Sequence, residues 1–300
     1  MPTQTEIRQA ITDKLIESLK QGKLPWRKPW SGIDGPRTPT NLVSKHRYSG
    51  VNTLLTLLAE QQHGWPVSYW ATFNQLRQIG CHVRKGEKGT TIAYWQQIKK
   101  SVMDKNGDEQ LRTIPFLKTW SIFNVAQANG EAVAKFNAKP ELKTFEGVDR
   151  SEFDATVAAT EARIDYGHEI AAYLPLEDRI IMPDERRFDT FSDFAATTLH
   201  ELSHWTQPKH RLSIEGSYAA NELFAEISSS FLMSALGIPH NLQNTQAYVQ
   251  SWIKSLENDP KHIFQASSAA SKSADYIMSF SQPKEEENDA DIDAETVALV

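Results

Sequence analysis

The sequence predicts an α+β protein in two parts: an N-terminal α+β domain with a small antiparallel sheet, then a mostly helical C-terminal domain with a short strand hairpin. Three observations carry this. Short runs rich in Ile, Tyr, Trp and Val follow Val83 and straddle an Asn106-Gly107 pair, the residues of a tight hairpin turn. Apolar residues recur with helical spacing along most of the chain after Phe191. The charge is also split: residues 1–125 carry 18 Lys and Arg against 9 Asp and Glu, whereas the remainder carries 14 against 29, within a chain of net charge −6. Such opposed halves point to separate tasks, the basic one suited to a polyanion.

A first helix is expected over about 3–20, where Ile7, Ile11, Leu15 and Leu19 stand four apart and Gly22 follows. Prolines 25, 29, 36 and 39 then forbid a continuous helix. A second helix, about Val51 to Gln62, leads through a Trp-rich segment to the strands. Residues 126–150 have weak periodicity and loop-forming composition. The expected boundaries are therefore 1–130 for the basic domain, 131–150 for a linker, 151–282 for the second domain and 283–300 for an acidic, disordered tail. In the second domain AAYLPLEDRIIMP reads as a strand hairpin, followed by helices near 191–206, 217–236, 243–257 and 261–279.

The single cysteine, Cys81, excludes an internal disulfide and a cysteine metal cluster, so a metal must rely on His and carboxylate ligands. The polar N-terminus lacks a signal-peptide core, and no stretch has the length to span a bilayer, which predicts a cytoplasmic protein without membrane contact.

His200-Glu201-Leu202-Ser203-His204 is an H-E-x-x-H pattern inside an amphipathic helix. A helix advances about 100° per residue, so imidazoles four apart stand on one face and converge on one ion. Glu201 is placed as the general base, while the cation polarises a carbonyl and acidifies water. Three residues compete as third ligand. Glu222 lies in YAANELFAEISSSFL, and Asn221-Glu222-x-x-x-Glu226 resembles the ligand segment of thermolysin-like zincins, which makes Glu222 the ligand and Glu226 the acid behind a histidine. Glu226 is the alternative ligand. His210 has the spacing of a third metzincin histidine, but Gln207-Pro208 stands where that pattern needs a turning Gly. Tyr218, one turn before Glu222, is a candidate for an oxyanion contact. Arg211 is a candidate anchor for substrate or for an internal carboxylate. A pair of histidines with one glutamate suits zinc (Zn2+), with Mn2+ or Co2+ as alternatives.

Six of the eight tryptophans, at 26, 30, 65, 70, 95 and 120, fall in the basic half. Several interleave with cations, the pairing that single-stranded nucleic acid needs, because aromatic faces stack on bases and cations follow phosphates. The candidates are Trp26, Arg27, Lys28, Trp30, Lys45, Arg47, Tyr48, Arg84, Lys85 and Lys88. Trp95 and Trp120 sit in apolar strands, which suggests a packing role for both.

The order LPWRKPW, YSGVNTLLTLLA, WATFNQLRQIGCHVRKGEKGTTIAYW, LHELSHWT, RLSIEGSYAANELFAEISSSFL and SADYI resembles the ArdC antirestriction proteins of conjugative plasmids. The resemblance implies a single-stranded-DNA-binding domain, a zincin-like metallopeptidase domain, and protection of incoming plasmid DNA from host restriction enzymes in a bacterial recipient. It carries metal ligation over to His200 and His204, the base to Glu201, and by pattern the acids to Glu222 and Glu226. Gln207-Pro208 departs from the Gly common in relatives. A host protein as peptide substrate, a repair protease acting on protein crosslinked to DNA, and a DNA-coating protein with a structural metal are the readings that these modules leave open.

Overall fold

The computed structural model describes residues 3–27, 35–103, 109–136, 150–240 and 246–281. Helix α1 (Gln4–Lys20) starts on a capping box in which Thr3 and Glu6 satisfy each other's backbone N–H. It ends where Gly22, at φ +73°, lets the Gly22 and Lys23 N–H groups turn back to Leu19 and Ser18. Strand β1 (Thr40–Asn41) precedes helix α2 (Val51–His63) and β2 (Tyr69–Thr72), which runs directly into α3 (Phe73–Gln78). After β3 (His82–Val83) come the long strands β4 (Thr90–Met103) and β5 (Glu109–Asn124), then β6 (Ala128–Asn129) and the single turn α4 (Glu131–Ala134).

The main sheet has the order β1-β2-β5-β4, in which β1 pairs with β2 in parallel and the remaining pairs are antiparallel. Strands β4 and β5 stay in register from Thr90↔Ile122 out to Met103↔Glu109, so the expected hairpin forms, and its Asn106-Gly107 turn lies outside the described residues. The expected acidic tail and most of the expected linker lie outside them too.

Beyond residue 150, α5 (Ser151–Ala159) and β7 (Arg163–Tyr166) precede the hairpin β8 (Ala172–Leu174) and β9 (Arg179–Met182). The helix α5 and strand β7 were not expected from the sequence; β7 pairs in parallel with β9, leaving β8 as an edge in the order β7-β9-β8. Helices α6 (Phe191–Trp205), α7 (Tyr218–Ala235), α8 (Gln246–Asn258) and α9 (His262–Met278) follow.

One continuous core runs through both halves of the chain. Leu15 and Leu19 of α1, Leu54 and Leu58 of α2, and Leu117 of β5 are buried in the same cluster as Leu199, Leu223, Leu256 and Ile277 of the later helices. Trp26 is 0% exposed and meets Trp252 of α8 edge-on at 5.5 Å. A smaller core of Val67, Leu76, Cys81, Val125 and Val133 lies under α3, and a third gathers Tyr48, Trp70, Ile92 and Ile122. The buried Glu60 carboxylate accepts hydrogen bonds from the Trp70 indole at 2.9 Å and the Ser68 hydroxyl at 2.8 Å, so Trp70 is a packing residue. Among the described residues no helix is long and apolar enough to cross a membrane.

Candidate metal centre

Helix α6 is started by the Thr190 hydroxyl, which accepts the Asp193 N–H, and is held down by Phe194, Ala195, Thr198, Leu199 and Leu202. That buried stripe leaves His200 and His204 partly exposed on the opposite side, one turn apart. Helix α7, capped by Ser217, packs against α6 and buries Leu223, Phe224 and Ile227. Its Glu222 then meets the two imidazoles. The ligand atoms of His200, His204 and Glu222 lie within 4.8 Å of one another. The two Nε2 atoms are 3.2 Å apart, and each stands 3.6 Å from a Glu222 carboxylate oxygen. Donors bonded at about 2.0–2.1 Å to a tetrahedral zinc stand about 3.3–3.4 Å from each other. The three side chains therefore fit a divalent cation without rearrangement.

The electrostatics agree with that donor set at His204 and Glu222 and oppose it at His200. Burial opposes a charge on His200, but the carboxylates of Glu222, Glu201 and Glu226 outweigh it and hold its pKa above the ordinary value. His204 is held below the ordinary value by burial and by His200. The neighbouring His200 imidazole holds the Glu222 carboxyl below the usual carboxylate range against the effect of burial. An ionised carboxylate and a neutral imidazole are the protonation states that a cation binds.

Two neighbours complete the centre. The Gln207 amide oxygen sits 2.8 Å from His204 Nδ1 and takes that nitrogen's proton as acceptor, which leaves Nε2 as the lone-pair donor. The residue that looked like a departure in the loop is thus the one that orients His204. Glu201 is buried, and its Oε2 accepts the Tyr173 N–H of edge strand β8 at 2.7 Å. Sequence reasoning missed Gln207 and Tyr173 because both act through tertiary or loop geometry.

The competing candidates resolve as follows. His210 is exposed with its Nε2 3.7 Å from Asp178, and it does not join the cluster. Glu226 does not join the cluster: its Oε1 accepts from Arg27 Nη2 at 2.9 Å, with the two side chains 14% and 10% exposed, while its charge still acts on His200. Arg211 is fully engaged internally, donating to both Asp178 oxygens and to the Trp205 carbonyl while lying 3.8 Å over the Trp205 ring. Tyr218 is exposed on the first turn of α7.

The nucleic-acid candidates separate sharply. Trp26 and Tyr48 are buried, and Arg27 is committed to Glu226, so none of the three presents a free face to a ligand. Lys28 and Trp30 lie outside the described residues. Lys45, Arg47, Arg84, Lys85 and Lys88 are exposed; Lys45 lies 5.7 Å from the Tyr69 ring, and Arg84 pairs with Glu87. The expectation for Trp95 and Trp120 is also corrected, since they are 41% and 37% exposed.

Residues 5–123 match the N-terminal domain of anti-restriction factor ArdC, and residues 151–269 match a zincin-like metallopeptidase family. The chain is 38% and 35% identical to two DNA primase TraC proteins of Escherichia coli, covering 92% and 96% of its own length. It spans about a quarter of theirs, 27% and 21%. Protein y4eC of Sinorhizobium fredii is 29% identical over 92% of each chain. The crystal structure of the antirestriction protein ArdC from plasmid R388 in its metal-free form superposes with a TM-score of 0.75 at 34% identity, covering 92% of this chain and 98% of that one. Its Mn(II)-bound form gives 0.73 at 32% identity, covering 93% and 99%. With both halves matched in order and the whole fold shared, the chain belongs to the ArdC antirestriction family and carries a zincin-like domain whose neighbour binds a divalent metal.

Proposed function

We propose that the protein is a metal-dependent peptidase joined to a single-stranded-DNA-binding half, and that it protects incoming plasmid DNA from host restriction. The observation that carries the reading is the convergence of His200, His204 and Glu222 beside the buried Glu201. A cation held there, zinc by the chemistry of the donors, supplies Lewis acidity toward a carbonyl and toward water. Glu201 is anchored through one oxygen by the Tyr173 N–H and takes the proton of the attacking water with its carboxylate, then returns it to the leaving amine. Gln207 keeps His204 in the ligating tautomer.

The test is Glu201→Gln, which retains every ligand and an acceptor for the Tyr173 N–H. Metal content is expected to stay unchanged while protection during transfer into a restricting recipient is lost. Full protection by the variant would remove catalysis from the function and leave DNA coating as the mechanism.

A further inference from the structure

The hairpin of β4 and β5 carries four Lys or Arg against one acid, Glu109, together with Tyr94, Trp95, Phe116, Trp120 and Phe123. Alternation along a strand places Ile114, Phe116, Lys118 and Trp120 of β5 on one face, about 7 Å from one to the next. The register sets Phe116 opposite Gln96, Lys118 opposite Tyr94 and Trp120 opposite Ile92. Lys118 is exposed, and the Trp120 ring leans on Tyr94 at 5.9 Å while keeping 37% of its surface open. On the opposite face Leu117 is buried in the main core and the Arg8 guanidinium of α1 lies 5.1 Å from the 41% exposed Trp95 ring, while on the Trp120 face the neighbouring Ile92 and Tyr94 are buried.

We infer that the β5 face of Trp120, Lys118 and Phe116 is the seat of single-stranded DNA, with a base stacked on Trp120 and a phosphate on Lys118. This rests on the single-strand binding proposed above. The alternation of an open aromatic ring with an exposed cation is what unpaired bases and their phosphates select, and the strand charge is complementary. Trp26, Trp70 and Tyr48 are buried and offer no stacking face, whereas Trp120 is partly open beside an exposed lysine.

The experiment measures the affinity of the whole chain for an oligo-dT single strand and for a duplex, by fluorescence anisotropy across a salt series. Trp120→Ala is expected to weaken single-strand binding about 5- to 100-fold. Trp120→Phe retains most of the affinity, and Trp95→Ala, on the opposite face and against Arg8, changes it less than about 2-fold. Lys118→Gln, a surface change that leaves folding intact, lowers the slope of log affinity against log salt by about 0.7. If the unmodified chain binds the single strand and both Trp120→Ala and Lys118→Gln match it, the placement on this face is wrong. An equal loss in Trp95→Ala, or a duplex bound as tightly as the single strand, overturns it as well. If the unmodified chain binds no single strand at all, the parent reading itself fails.

Discussion

Replacing Arg27 with Met tests the ion pair that joins it to Glu226 of helix α7. The Arg27 Nη2 to Glu226 Oε1 distance is 2.9 Å, and the side chains are 10% and 14% exposed. At that separation and an effective dielectric constant of about 20, the attraction is about 6 kcal/mol, most of it offset by the cost of taking two charges out of water. Removing one partner leaves the Glu226 carboxylate stranded among the apolar neighbours of α7, a loss of about 3–5 kcal/mol. For a chain of this size each kcal/mol moves the melting temperature by roughly 2 °C, so Arg27→Met lowers it by about 6–10 °C. Glu226→Met alone destabilises for the same reason, whereas the double variant returns to within about 1–2 kcal/mol of the original, because a well-filled apolar pair replaces a buried ionic one at little cost. The assay is calorimetry or circular dichroism on the four proteins of this double-mutant cycle. A drop below about 2 °C in Arg27→Met, or single effects that simply add, would refute the idea that the pair is desolvated and coupled.

Three further outcomes follow from the centre and its surroundings. Glu222→Gln keeps the shape but removes the anionic donor, and divalent-cation affinity read by titration calorimetry falls by more than about 100-fold, since loss of an outer partner alone costs about 10–100-fold; unchanged affinity would point to another third ligand. Gln207→Ala loses the acceptor on His204 Nδ1 and weakens the same affinity by about 10–100-fold with the melting temperature of the metal-free protein little changed. His240 is held at a pKa of about 3 by burial and by Arg27, below its ordinary 6.5. A depressed folded pKa contributes stability that is present above the unfolded value and is lost as pH falls, so between pH 7 and pH 5 His240 accounts for about 1–2 kcal/mol of lost stability. Urea melts of His240→Gln show a correspondingly flatter acid limb; an identical limb would place the effect elsewhere.

Much of the centre was legible in one dimension because its logic is local. His200 and His204 share a helix, so their spacing alone brings the imidazoles together, and the apolar stripe of α6 says which face is free. The third ligand was narrowed to Glu222, Glu226 and His210, but the choice among them depends on how α7 crosses α6. That crossing sets Glu222 against both Nε2 atoms and turns Glu226 toward Arg27, 199 residues away in sequence.

The aromatic residues were read least well. Trp26 lies in a Pro-rich, basic loop that looks like a surface, yet it fills the core against Trp252; Trp120 lies in an apolar strand that looks like core, yet its ring is partly open. Composition reports what a segment contains, whereas burial depends on which other segment covers it. The sequence by itself determined most of the longer helices, the long hairpin, the charge split and the pair of histidines that share one helix face, since each follows from periodicity or near-neighbour spacing. Only the tertiary structure decided which carboxylate faces the histidine pair, the partner of Glu226 and the aromatic faces left open, because these are set by contacts between residues tens to hundreds of positions apart.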